Sequence, residues 1–367
     1  MTSKGRIPAL DGLRGLAILL VLLWHYFQNL LSDDLGPVIA YIRRSMALTW
    51  SGVDLFFVLS GFLIAGLLLD NKGSGSYFRT FYVRRVCRIF PLYYAHLAVF
   101  ALLIFFGIKD VAALGWLFQD DVIPLWSYAT YTQNLFMGWT WTFGPNWMGV
   151  TWSLAVEEQF YLVLPLVVWL TPRRMLPWLL LCLCAMAPVL RANVKGLVGF
   201  VNAPWRADCL MLGALVAYWI RIPNFETAAT RYRKVLTGLL CILIVGAAYM
   251  SLSGHSSLGG PLTHLWLAFL YAALLLLVLV HSEGIVARAL CMPALMWLGS
   301  VSYGVYIFHQ AVSGLVHGLV RGSAPQIASW SDLGVTLIAL SITLLLARTS
   351  FHFLESKIIA YGHTFRY

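Results

Sequence analysis

An arginine and a histidine stand on one apolar stretch near the N-terminus. Residues 9–26 read Ala-Leu-Asp-Gly-Leu-Arg-Gly-Leu-Ala-Ile-Leu-Leu-Val-Leu-Leu-Trp-His-Tyr, with Arg14 near the start and His25 in the later half. On a regular α-helix the steps between them turn through about 1100°, within about 20° of three full turns, and rise about 16 Å. Arg14 and His25 therefore share a face. Ionisable side chains are costly against lipid, so two on one face predict a polar interior site. Imidazole titrates near neutrality, which makes His25 the candidate general base, able to take the proton of an alcohol as it attacks an acyl carbon. Guanidinium forks pair phosphate oxygens, so Arg14 with Arg84, Arg85 and Arg88 suits an anionic ligand. Taken alone, the Arg84, Arg85 and Arg88 run is explained better by membrane topology and lipid head groups.

Further acids and hydroxyls complete the set. Glu157 and Glu158 are adjacent, so they point about 100° apart and at most one is central. One of them orients or recharges His25, or it serves as a structural partner for an arginine or a tryptophan N–H. Asp11 and Asp54 bond Arg14 or cap helix starts, and capping is the safer reading for Asp11. Tyr303 and His309 lie in a Gly- and Ser-containing stretch, residues 298–309, that permits close helix approach. They are candidates for hydrogen bonds to an acceptor. Asp208 reads as structural, and His96, His264, His281, His317 and His352 have no comparable context. The six cysteines are scattered, with no spacing that would hold a metal. The sequence contains no Gly-x-Ser-x-Gly elbow, P-loop or His-Glu-x-x-His, which excludes those hydrolase, ATPase and zinc-protease chemistries.

The elements that position these groups must be membrane spans. The chain of 367 residues is 60% hydrophobic and 11% charged, with a mean hydropathy of +0.79, whereas soluble domains carry about a quarter charged residues. The expected fold is an all-α polytopic bundle of about ten spans with a polar interior tunnel. The spans fall near residues 10–31, 52–69, 91–107, 151–170, 175–190, 206–221, 235–251, 263–281, 293–313 and 332–354. Residues 108–150, aromatic and uneven, read as surface or re-entrant segments. No stretch reads as a separate soluble domain. The first span, without a small-residue cleavage site after it, reads as a retained helix. The net charge of +10 reflects basic loops between spans, not a nucleic-acid surface. Their bias places both termini in the cytoplasm. Arg14 is then at the cytoplasmic entrance, His25 is beyond the midplane, and Glu157 and Glu158 lie at a depth close to that of His25.

These residues together resemble the acyltransferase-3 family of multi-pass membrane acyltransferases, which includes bacterial O-acetylases of cell-surface polysaccharides. The resemblance runs nearly end to end. It comprises Leu-Asp-Gly-Leu-Arg-Gly-Leu at 10–16 with the Arg14-x10-His25 spacing, and Gly-Val-Asp-Leu-Phe-Phe-Val-Leu-Ser-Gly-Phe-Leu-Ile at 52–64. It continues through Arg85-x-x-Arg88-Ile-Phe-Pro, Trp-Ser-Leu-Ala-Val-Glu-Glu-Gln-Phe-Tyr at 152–161, Arg-Ala-Asp-Cys-Leu-Met-Leu-Gly at 206–213, and Gly-Ser-Val-Ser-Tyr-Gly-Val-Tyr-Ile-Phe-His at 299–309. Phe308 departs from the leucine that relatives often carry there. The resemblance implies acyl-CoA, in the first place acetyl-CoA, as donor and a lipid-linked or exported carbohydrate as acceptor. It also implies an essential histidine–arginine pair and a place in the bacterial cytoplasmic membrane. Some relatives carry a fused SGNH-type esterase domain. None is expected within these residues, so transfer would be completed by this domain alone, by a second copy of it, or by a separate extracytoplasmic partner. The alternatives are a secondary transporter or channel that uses the same charges as a substrate path, and an acyltransferase for a small secondary metabolite such as a macrolide.

Overall fold

A computed structural model describes residues 7–119, 122–253 and 260–367, and among them the chain is helical throughout. The sole extended pairing there is an isolated bridge between Leu31 and Ile327. The helices in order are α1 (Pro8–Leu23), α2 (Pro37–Ser45), α3 (Gly52–Asn71), α4 (Tyr77–Phe105), α5 (Gly115–Phe118), α6 (Leu125–Ala129) and α7 (Gln133–Thr140). They continue as α8 (Trp152–Leu170), α9 (Leu176–Ala192), α10 (Val198–Val201), α11 (Ala207–Trp219), α12 (Phe225–Arg231), α13 (Arg233–Leu252) and α14 (Pro261–Val280). The last five are α15 (Ile285–Leu290), α16 (Pro293–Ser300), α17 (Ser302–Arg321), α18 (Trp330–Ser350) and α19 (Ser356–Gly362). Proline at the first helical position starts α1, α2, α14 and α16, where its missing N–H leaves no bond unmade.

Among the described residues, seven segments are long and apolar enough to cross a membrane: Pro8–Gln28, Pro37–Asn71, Tyr77–Phe105, Gly149–Leu170, Arg233–Leu252, Leu262–Val280 and Trp330–Gly362. The protein is therefore a helical membrane bundle. The other three expected spans form differently. Residues 175–190 give the shorter α9. Residues 293–313 are divided at Val301 into α16 and α17. Residues 206–221 give α11, whose 13 residues extend about 20 Å. Every residue of α11 from Ala207 to Ala217 is buried, so it is a core helix surrounded by protein and need not match the bilayer thickness. On the outer helices, Leu162, Val245 and Leu345 remain exposed, as an apolar lipid-facing surface requires.

The packing depends on small residues and on buried charge. A Cβ added at Gly213 would overlap the Val58 carbonyl oxygen, so α11 lies directly on α3. A Cβ at Gly299 would overlap the Asp11 carbonyl oxygen, so α16 lies directly on α1. Without a hydrophobic drive between helices in lipid, such close backbone approach is what holds them. Arg206, fully buried, pairs with Asp54 of α3 and contacts His264 of α14. Its guanidinium lies 5.5, 5.8 and 5.3 Å from the ring centres of Phe57, Trp152 and Phe200. Arg191 of α9 pairs with Asp208 beside it. These buried ion pairs tie α3, α9, α11 and α14 to one another. Asp54, a candidate partner of Arg14, is thus committed to Arg206, with His264 at 3.6 Å.

Candidate active site

A cavity of about 280 Å³ opens among α1, α3, α4, α8 and α17. Arg14, Arg85 and Arg88 supply its charge, and Ser60, Tyr161 and Tyr306 are among its hydroxyls. Arg85 and Arg88 are three apart on α4 and so occupy one face. Arg84 sits about 100° away. Its guanidinium donates to the Phe365 carbonyl at 3.0 and 2.6 Å and lies 5.2 Å from the Tyr367 ring centre, which anchors the C-terminal residues to α4. Arg84, expected beside Arg85 as an anion ligand, is absent from the cavity lining. Burial and the fields of Arg84, Arg85 and Arg88 hold the nearby His363 imidazole below its ordinary range, which marks this end of the bundle as electropositive. Arg14 donates to Asp11 at 2.8 Å. Asp11 is therefore an orienting partner for Arg14 and makes no side-chain cap for α1, against the reading preferred from sequence.

Glu157 is also in this cavity. Its carboxylate accepts from Ser60 Oγ at 2.6 Å, and Ser60 in turn accepts from Tyr161 Oη at 3.1 Å. The Arg85 guanidinium lies 6.0 Å from the Tyr161 ring centre. Glu157 is thus placed with the arginines, where it balances part of their charge, and not with His25 as its expected depth implied. Glu158 points elsewhere, as the 100° offset requires. One of its carboxylate oxygens is buried with no hydrogen-bond partner among the described residues. Neither glutamate bonds to His25 there.

His25 lies just beyond α1, in a π-helical turn, Trp24–Gln28, in which the Asn29 N–H reaches back five residues to the Trp24 carbonyl at 3.0 Å. Such turns recur at functional sites. The contact that matters is between His25 Nδ1 and the Val21 carbonyl at 3.0 Å. A carbonyl can only accept, so the proton is on Nδ1 and the neutral ring presents Nε2 as a bare acceptor. The ring meets His309 edge to face, with centroids 4.7 Å apart. His309, wholly buried, makes the same kind of contact from Nδ1 to the Tyr306 carbonyl at 2.7 Å. Tyr26 fixes the pair from behind: its hydroxyl donates to the His309 carbonyl at 2.9 Å and meets Thr343 at 2.7 Å. Tyr306 links the two regions, since it lines the cavity and its ring lies 5.6 Å from that of His309. Tyr303 also lines the cavity, but its hydroxyl donates to the Ile89 carbonyl at 2.7 Å, so it braces α17 on α4.

Sequence reasoning passed over Ser60, Tyr161 and Tyr306, although all three lie within the quoted motifs. The signal was present for Tyr161, four residues after Glu157 and so on the same helix face. His264 and Arg206 gave no such signal, because their partner Asp54 is more than a hundred residues away in the chain. Among the described residues no group of three or more His, Cys, Asp or Glu side chains is placed to hold a metal ion.

Comparison with known proteins bears on this arrangement. A family model described as an acyltransferase domain matches residues 7–348. The chain is 28% identical to YrhL of Bacillus subtilis over 97% of its own length and 55% of the relative's. It is 24% identical to the peptidoglycan O-acetyltransferase OatA of Listeria monocytogenes, over 97% of this chain and 56% of that protein. It is 25% identical to the O-acetyltransferase OatA of Staphylococcus aureus, over 98% of this chain and 58% of that protein. The chain thus spans a little more than half the length of these relatives. No solved structure matches it. With the family match running from the first described residue through α1, α3, α4, α8 and α17, the chain belongs to the acyltransferase-3 family.

Proposed function

We propose that the protein is an O-acyltransferase of the bacterial cytoplasmic membrane that moves an acyl group, in the first place acetyl, from acyl-CoA to a carbohydrate hydroxyl. The observation that carries this reading is the His25 tautomer. An Nδ1–H tied to its own helix leaves Nε2 free to take a proton, as a general base must. The acceptor oxygen loses its proton to Nε2 as it bonds to the thioester carbon. The tetrahedral intermediate then collapses, the carbon–sulfur bond breaks, and the imidazolium returns the proton to the departing CoA sulfur. Arg14, Arg85 and Arg88 offer guanidinium forks for CoA phosphates at the cavity, and positive-inside bias supports entry of the donor from the cytoplasm. Glu157 holds Ser60 and keeps that wall polar. The peptidoglycan acetylation named for the Listeria relative supports a glycan as acceptor.

Two measurements on purified protein test this. CoA should raise the melting temperature of the detergent-solubilised protein. Arg85→Ala and Arg88→Ala should abolish the rise, whereas Arg84→Ala, which removes contacts to Phe365 and Tyr367 outside the cavity, should keep it. Acetyl-CoA with a glycan acceptor should release free CoA, and His25→Ala should lower that rate about 10²–10⁴-fold with the CoA shift retained. A folded His25→Ala protein with undiminished turnover would refute the role of base.

A further inference from the structure

The stretch between the His25 turn and α3 has no part in the chemistry above. Pro37–Asn71 is long enough to cross a membrane, yet α3 alone has 20 residues and extends about 30 Å, the full thickness of the hydrocarbon core. α2, with 9 residues, extends about 13 Å and is left over from the crossing. Its residues Val38, Tyr41, Ile42 and Ser45 follow the i, i+3, i+4, i+7 spacing and share one face. The first three are 69%, 62% and 42% exposed. The Ser45 hydroxyl, which would be costly against lipid, donates to the Ile42 carbonyl at 2.7 Å. Arg44 is exposed at the edge of this face.

Two sets of contacts fix where α2 lies. Ser251, in the last turn of α13, donates to the Arg44 and Ser45 carbonyls at 2.8 and 3.2 Å. α13 exposes Ile242, Val245, Tyr249 and Leu252 along one stripe of the lipid-facing surface, so the apolar face of α2 adjoins that surface where it ends. Arg43 Nε donates to the Gln28 carbonyl at 3.2 Å, and Gln28 closes the π-helical turn that holds His25. α2 is therefore at the end of α1 remote from Arg14. Positive-inside bias leaves that end poor in cations, so topology does not account for Arg43 and Arg44. A phosphate does. A short helix with an exposed apolar face and an arginine at its rim suits the membrane interface, with the apolar side chains among acyl chains and the guanidinium among head groups.

We propose that α2 is an interfacial helix: Val38, Tyr41 and Ile42 enter the leaflet on that side, and Arg44 pairs with a phospholipid phosphate. Through Arg43 the same helix anchors the His25 turn to the membrane surface. The placement in lipid stands by itself, and its consequence for turnover rests on the reading of His25 as the base.

The test uses the full chain in nanodiscs of phosphatidylethanolamine and phosphatidylglycerol. Nitroxides are attached in the variants Asp34→Cys, Val38→Cys and Tyr41→Cys, with the exposed Cys182 and Cys241 changed to Ser. The background protein treated with the same label gives the blank. Oxygen collisions should exceed those of a water-soluble nickel chelate at residues 38 and 41, and the order should reverse at residue 34. A nickel excess at 38 and 41 places α2 in water, and low rates with both reagents place a protein surface over it; either result overturns the proposal. Arg44→Glu should lower the oxygen-to-nickel ratio at residue 41 at least about twofold, whereas Arg44→Lys should retain it. An unchanged ratio with Glu refutes the phosphate contact. For the anchor, Val38→Asp/Tyr41→Asp should lower transfer from acetyl-CoA to a glycan acceptor at least about fivefold. The CoA-induced melting shift, which also reports folding, should stay at the wild-type value. Undiminished transfer refutes the link to His25. If the wild type itself releases no CoA, the transferase reading fails, while the nitroxide rates still decide where α2 lies.

Discussion

A histidine that bonds the backbone of its own helix has its protonation pattern decided before any substrate arrives, and His25 and His309 do so here. The charged residues follow the opposite rule, because a partner from a distant segment decides what each can do. Arg84 and Arg85 are neighbours with identical side chains, yet one is bonded to Phe365 and the other lines the cavity. Asp54 and Arg206 make the cost of separation measurable. Removing one member leaves an uncompensated buried charge, worth about 3–5 kcal/mol, whereas replacing both by apolar groups costs much less. Arg206→Met should therefore lower the melting temperature in detergent more than the double variant Asp54→Leu/Arg206→Met, the reverse of additivity. Equal losses would show that the pair contributes no more than its separate contacts. At this scale the sequence was legible for residue type and opaque for partnership. His25, Arg14, Arg85, Arg88 and Glu157 stand out as ionisable groups in apolar runs. Nothing local says that Asp54 faces Arg206 instead of Arg14, or that Glu157 is held by Ser60.

At the scale of elements, the contacts that place Arg14 are made by glycines as much as by charges. Gly299 lets α16 lie against the backbone of Asp11, and Asp11 orients Arg14. Gly299→Val should push α16 off α1, reduce folded yield, and weaken the CoA-induced melting shift in whatever protein survives. Gly238→Ala on α13, where an added Cβ meets nothing within 4 Å, should leave both unchanged. Detergent thermal melts with and without CoA read both effects. Helix existence and order were readable from hydropathy because a bilayer imposes a minimum length on exposed spans. Of the ten expected spans, three fall short of that length-and-hydropathy rule among the described residues. The buried α11 answers to its protein neighbours and is short. α16 and α17 divide at Val301, where close approach of glycine and serine positions replaces a continuous span. The π-helical turn had no signature in hydropathy, and Tyr26 within it bonds the distant His309 carbonyl and Thr343.

For the whole molecule, the arrangement of charge implies a direction. The C-terminal residues return to the start of α4, where the Arg366 carbonyl accepts from Ser76 Oγ and Thr80 Oγ1, each at 2.9 Å. Arg14, Arg85, Arg88 and the chain's last residues therefore gather at one end of the bundle. On positive-inside bias we propose that this end is cytoplasmic. Reporter fusions at residue 1 and residue 367 should both be active only as cytoplasmic reporters, and a cysteine placed at residue 126, in the aromatic stretch, should be labelled from outside by an impermeant reagent. Labelling of residue 126 from the cytoplasm would invert the molecule and with it the side from which the donor enters.

The π-helical turn at residues 24–28 carries one further consequence. Relative to a continuous α-helix it holds one residue too many, as if an insertion had been kept in place. Deleting Phe27 should let the segment relax to ordinary helical winding without unfolding the bundle, while the side chains inside the turn, His25 among them, change their direction. Such a protein would still take up CoA yet be silent in transfer. A lesion of that type, conservative in composition and in mass, separates the aim of a side chain from its presence.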